Sequence, residues 1–87
     1  MATDVPSFDL AVDAGEDRVT FIPRGELDLA TAPELESKVL DAVRDGSRPV
    51  VLDLRELTFM DSTGVRTIVA AHQVGGPVRS KMMRMNP

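Results

Sequence analysis

Eighty-seven residues, 43% hydrophobic and 28% charged, allow one domain with a single small core and a thin stability margin. Cysteine is absent and the aromatics are three Phe, which excludes disulfides, a thiolate metal site or nucleophile, and the stacking platform that single-stranded nucleic acid requires. Fourteen acidic and six basic residues precede Ser62, whereas four basic and no acidic residues follow it, so the acidic body repels nucleic acid and the slight basic end does not reverse that.

The opening MATDVPSFDL has neither the basic start nor the apolar run of a signal peptide. No apolar run approaches the roughly 20 residues that cross a bilayer. A small chain without Cys fits a reducing compartment, and the cytoplasm is expected.

Phe8, Leu10 and Val12 alternate with Asp9, Ala11 and Asp13, the period of a half-buried strand. AGED, residues 14–17, reads as a turn into a second strand, in which Val19, Phe21 and Pro23 alternate with Thr20, Ile22 and Arg24, paired antiparallel to the first. Pro23 has no N–H for a ladder, so the strand is expected to end there or leave that position unpaired, and Gly25 continues the break. TAPE then opens a helix over about 32–45: Thr31 and Glu34 match a capping box, Pro33 falls in the first turn, Leu35, Val39, Ala42 and Val43 form one stripe, and Gly46 ends it.

PVVLDL, residues 49–54, is a nearly continuous β-branched run, the composition of a central parallel strand covered on both faces. RELTF reads as a connection to a second helix over about 63–72, capped by Asp61 or Ser62, with Val65, Ile68, Val69 and His72 on one face. The order is β-β-α-β-α, a βαβ crossover opened by a hairpin, hence an α/β domain with a mixed sheet. Gly75, Gly76 and Pro77 break the chain. Residues 75–87 read as an atypical basic segment, either a poor further strand with Val78, Ser80 and Met82 on one side or a disordered tail, and residues 1–74 as the domain.

The chemistry centres on DSTG, residues 61–64. A hydrolase elbow needs Gly two residues before the Ser, where Met60 stands. The aspartic protease pattern has one residue fewer between Asp and Gly and needs a second loop. A serine triad would rely on His72, roughly 15 Å along the helix that Ser62 starts; His72 reads instead as a helix-end residue facing the core or a cap. Asp53, Glu56 and Asp61 show no metal-ligand spacing, and no Gly-rich phosphate loop occurs, so neither metal, cofactor nor catalytic residue is expected. A helix cap accounts for one polar group of the three in DSTG. The remaining reading is Ser62 as a phosphorylation site, because a helix N-terminus accommodates an anion while the new charge disrupts a docked partner.

GELDLATAPEL (residues 25–35) and VVLDLRELTFMDSTGVRTIVAAH (residues 50–72), in this element order, resemble the STAS domain of anti-sigma factor antagonists over residues 5–72. The resemblance implies a non-enzymatic, cytoplasmic regulator of transcription that works by partner switching. The unphosphorylated form would bind an anti-sigma factor serine kinase and release a sigma factor; phosphorylation of Ser62 would end binding, and a serine phosphatase would restore it. Asp61, Thr63 and Gly64 would form the phosphosite loop, and Glu26 and Asp28 part of the partner-binding surface, with solvated turn acids as the other reading of these two. The alternative is a STAS-type subunit of a lipid-transport complex, a stressosome-like particle or a transporter. The family continues with a Gly-led strand and a final amphipathic helix, whereas only 15 residues follow His72 here. The C-terminal strand and helix are therefore expected to be truncated or atypical, with self-association through the incomplete end.

Overall fold

The computed structural model describes residues 8–74 and 78–81. In chain order the elements are β1 (Phe8–Ala14), β2 (Val19–Leu27), α1 (Ala32–Asp45), β3 (Val50–Asp53), β4 (Leu57–Met60), α2 (Ser62–Val74) and β5 (Val78–Lys81). β1 and β2 form the antiparallel hairpin, β3 and β5 continue the sheet in parallel in the order β1-β2-β3-β5, and β4 also pairs parallel with β2. α1 and α2 pack together over one face, touching β2 and β3, and β4 and β5, respectively. The buried set beneath them includes Val19, Phe21, Leu27, Leu35, Val39, Leu52, Leu54 and Ile68.

The mixed α/β architecture follows the expected order, with corrections that each have a local cause. β2 does not end at Pro23 but runs through it. Val19 donates its amide toward β3, to Pro49, and Gly25 donates toward β4, to Glu56. Pro23 points the same way and falls between the stretch paired with β3 (residues 19–21) and the stretch paired with β4 (residues 25–27). The residue without an N–H thus occupies the gap where β2 changes partners. Gly25 is likewise inside the strand, with φ 97° at a register shift that a side chain would resist.

The segment read as a connection contains β4. Gly25 lies opposite Leu57 but Glu26 opposite Phe59, so Thr58 is an extra residue on the β4 side. This bulge breaks the alternation by which a strand is recognised. β3 is central but not covered on both faces: Val50 and Leu52 are buried, whereas Val51 and Asp53 are half-buried on the face without helices. Val12, expected inside, is 50% exposed, because β1 is the outer strand beyond the helical layer.

α1 spans the expected residues and buries Ala32, Leu35, Val39 and Val43; the Gly46 amide closes it by donating to the Ala42 carbonyl. The capping box does not form. Thr31 holds the N-cap position without a side-chain cap, since its hydroxyl donates to the Glu26 carbonyl (2.8 Å) and accepts from the Asp28 amide (2.9 Å). In α2 the inward face is turned from the one expected. Gly64, Thr67, Ile68 and Ala71 are buried, while Val65, Val69 and His72 are exposed. The His72 Nε2 lies 2.8 Å from the Ser80 hydroxyl, so this imidazole joins α2 to β5 at the surface instead of facing the core or a cap.

Candidate functional site

Two turns meet at the carboxyl ends of β2 and β4. The Asp61 amide donates to the Leu27 carbonyl at 3.2 Å, and Leu27 is the register partner of Met60. This joins the Glu26–Asp28 stretch to Asp61 and Ser62, brought together from positions more than thirty residues apart.

The first turn follows β2 and consumes its polar groups. The Asp28 Oδ1 accepts from the Ala30 amide (3.0 Å) and the Thr31 amide (3.1 Å), while the Asp28 carbonyl takes the Ala32 amide at 2.7 Å. An Asp carboxylate that bonds amides two and three residues ahead builds its own turn. Asp28 is therefore a turn former, half-buried, with Leu29 thrust outward at 74% exposure. Glu26 is half-buried on the helix-free face beside Phe59, and its carbonyl holds Thr31.

The second turn follows β4 and divides its groups differently. The Asp61 Oδ1 accepts from the Thr63 amide (2.9 Å) and the Gly64 amide (3.1 Å), and the Asp61 carbonyl accepts from Val65 at 3.1 Å. Of the two residues that could cap α2, Asp61 does so, satisfying two of the otherwise unpaired amides of the first helical turn. Thr63 is half-buried, and its carbonyl receives the buried Thr67 hydroxyl at 3.1 Å. At Gly64 α2 lies tightly against β2 and β4. A Cβ there would lie 2.6 Å from Met60 Cγ and 3.0 Å from the Leu27 carbonyl oxygen, so any side chain forces the helix off β2 and β4.

Ser62, the first residue of α2, is exposed, and its hydroxyl makes no hydrogen bond to another described residue. It is presented at the positive end of a helix dipole, next in sequence to Asp61, whose amide bonds the Leu27 carbonyl between Glu26 and Asp28. The exposed Val65 (48%) follows three residues along the helix. No pocket occurs among the described residues. No group of three or more His, Cys, Asp or Glu able to hold a metal ion occurs among them either. No described helix is long and apolar enough to cross a membrane. Chemically, the site can offer a primary hydroxyl to another protein's active site.

Sequence reasoning gave no role to Leu29 or to the outward placement of Val65. The available signal for Leu29 was a large apolar residue inside the otherwise polar turn DLAT; for Val65 it was Gly64, whose close approach rotates the helix.

The family model described as STAS domain matches residues 10–82. Among curated proteins, the anti-sigma-B factor antagonist of Staphylococcus aureus (strain NCTC 8325 / PS 47) is 42% identical over 45 residues, 52% of this chain and 42% of that protein. The match thus covers less than half of that relative's length. Among solved structures, an anti-sigma factor antagonist from Mycobacterium paratuberculosis superposes with a TM-score of 0.72 at 26% identity, covering 87% of this chain and 69% of that one. The Bacillus cell fate determinant SpoIIAA in its phosphorylated form shares the fold, with a TM-score of 0.66 at 24% identity over 93% of this chain and 75% of its own.

Proposed function

This chain belongs to the STAS domain family, and we propose that within it the protein is an anti-sigma factor antagonist whose binding is switched by phosphorylation of Ser62. The unphosphorylated form binds an anti-sigma factor serine kinase and so releases a sigma factor. The domain performs no reaction itself; it is the substrate of its partner and works in the cytoplasm. The reading is supported by the relatives named above and carried by one observation: Asp61 caps α2, leaving the neighbouring Ser62 hydroxyl exposed and unengaged.

In the switching step the kinase aligns ATP with Ser62 Oγ. A base of the kinase takes the hydroxyl proton, Oγ forms a bond to the γ-phosphorus, and ADP leaves with the bridging oxygen. The product gains about −1.5 to −2 charges at the helix start. The helix dipole tolerates an anion there, so the fold survives. The docked kinase does not, because the phosphate adds to the carboxylates of Asp61, Glu26 and Asp28 against a surface fitted to the neutral serine. Glu26 and Asp28 provide polar contacts with the partner, and Leu29 and Val65 apolar ones. Thr63 and Gly64 keep the loop in place without accepting phosphate, and a serine phosphatase returns the hydroxyl by hydrolysis.

The test is incubation with a cognate anti-sigma kinase and ATP, followed by peptide mapping. Phosphate on Ser62, and none on the Ser62→Ala protein, is the expected result. Phosphate on Thr63 or Thr31 instead, or none at all, would remove the proposal.

A further inference from the structure

The face of the sheet opposite the helices carries an ordered row of its own. Cross-strand register aligns Asp13 with Thr20, Thr20 with Val51, and Val51 with Arg79, one residue each from β1, β2, β3 and β5. Thr20 and Val51 are half-buried in the middle; Asp13 and Arg79 are exposed at the ends. Ala11 and Ile22 pair in the neighbouring row, also half-buried. Phe59, 48% exposed, extends this face beside Glu26. The surface thus carries Thr20, Ile22 and Val51 at its centre beside the Asp53–Arg55 ion pair, and its Asp13–Arg79 row is opposite in charge at its two ends.

Of the other charges on the face, Asp9 and Asp53 are ion-paired, whereas Glu26 lies outside this row beside Phe59. Arg24 lies 3.6 Å from Asp9, and the Arg55 Nε lies 2.9 Å from Asp53, the cross-strand neighbour of Lys81. Asp13 and Arg79 form no ion pair with a described residue. One row therefore ends in an acid and a base without ion-pair partners among the described residues, on the outer two of four strands.

We propose that this face binds a second copy of the chain through a two-fold axis parallel to the strands. Such a rotation reverses the order of strands but keeps each residue's level along them. β1 of one copy then lies over β5 of the other, and Asp13 meets Arg79 twice, once on each side of the axis, as an isologous contact requires. A two-fold across the strands would instead set acidic β1 on acidic β1. Thr20, Ile22 and Val51 fill the centre at the roughly 10 Å spacing of packed sheets.

Four strands about 4.8 Å apart, paired over four to five residues of about 3.3 Å, offer roughly 300 Å² per copy, below the roughly 800 Å² of a standard stable interface. The dimer is therefore reversible and fills at high protein concentration. It uses neither Ser62 nor α2, and it does not rest on the proposed function.

Sedimentation velocity on the whole chain, from micromolar to about 1 mM, tests this at the weak end of the affinity scale. The expected result is a reversible monomer–dimer equilibrium weakened by added salt. Asp13→Arg and Arg79→Asp each raise the dissociation constant by at least about tenfold, because each opposes like charges across the axis. An equimolar mixture of the two variants restores a one-to-one heterodimer, since two arginines on one copy then face two aspartates on the other. Both residues are exposed, and rescue in the mixture shows that each variant is folded. A monomer at every concentration, self-association unchanged in both variants, or failure of the mixture to rescue would overturn the proposal. So would a dimer lost only in the Val65→Asp/Val69→Asp variant, which would place the contact on α2.

Discussion

The two helix starts are built from the same residue types, an acid followed shortly by a hydroxyl, yet they use them in opposite ways. Before α1, Asp28 and Thr31 each bond the other's backbone amide, and the Thr31 hydroxyl also donates to the Glu26 carbonyl, so the hydroxyl is fully engaged. Before α2, Asp61 alone secures the turn, and Ser62 is left over. A hydroxyl that the fold has already engaged cannot change partners without cost; one that it does not use can. Thr31 is therefore part of the scaffold and Ser62 the proposed position for modification, although both look like caps.

Leu27 joins the two starts, and its truncation gives the largest effect. Leu27→Ala removes a fully buried side chain and is expected to cost about 2–5 kcal/mol, enough to unfold much of a small domain. Chemical denaturation would show it as a lower midpoint with the slope unchanged. Gly64→Ala comes next, at about 1–3 kcal/mol from overpacking against the Leu27 backbone and Met60. That corresponds to a melting point lower by roughly 4–8 °C for each kcal/mol.

The comparison itself is sharpened by three smaller changes. Asp61→Ala and Thr31→Ala each remove hydrogen bonds that hold a turn and should cost about 1 kcal/mol. Ser62→Ala should stay within about 0.5 kcal/mol of the parent. Equal losses for Thr31→Ala and Ser62→Ala would break the distinction.

The smallest effect lies away from both turns. A hydrogen bond from Arg55 holds the Asp53 carboxyl below its ordinary value of 3.8. The folded state therefore favours the ionised form, and the stabilisation is present above that value and lost as pH falls below it through the folded pKa. In Arg55→Ala the carboxyl should titrate closer to 3.8, as followed by NMR, with little change in stability at neutral pH.

How much of this was legible depended on whether the cause was local. The limits of α1 could be read from Ala32 to Asp45 because its stripe and its closing glycine lie within the helix. The hairpin of β1 and β2 could be read because the alternation of Val19 and Phe21 with Thr20 and Ile22 lies within the strand. The position of DSTG at a helix start was likewise visible. Three features were hidden, two because their causes are tertiary and one because a hydroxyl was drawn into the turn before its helix. β4 was obscured by Thr58, an extra residue that only pairing with β2 reveals as a bulge. The rotated face of α2 follows from the approach of Gly64 to Leu27, across the sheet. Thr31 failed to cap because the Asp28 amide, three residues back, donates to its hydroxyl oxygen, while the hydroxyl proton goes to the Glu26 carbonyl.

Affinity for a cognate anti-sigma kinase, measured by calorimetry alongside melting curves, tests the central claim most directly. The account predicts that Ser62→Ala keeps both the melting point and the affinity, whereas Ser62→Asp keeps the melting point but weakens binding by about tenfold or more. An Asp variant that binds as tightly as the parent, or an Ala variant that melts as low as Asp61→Ala, would contradict it.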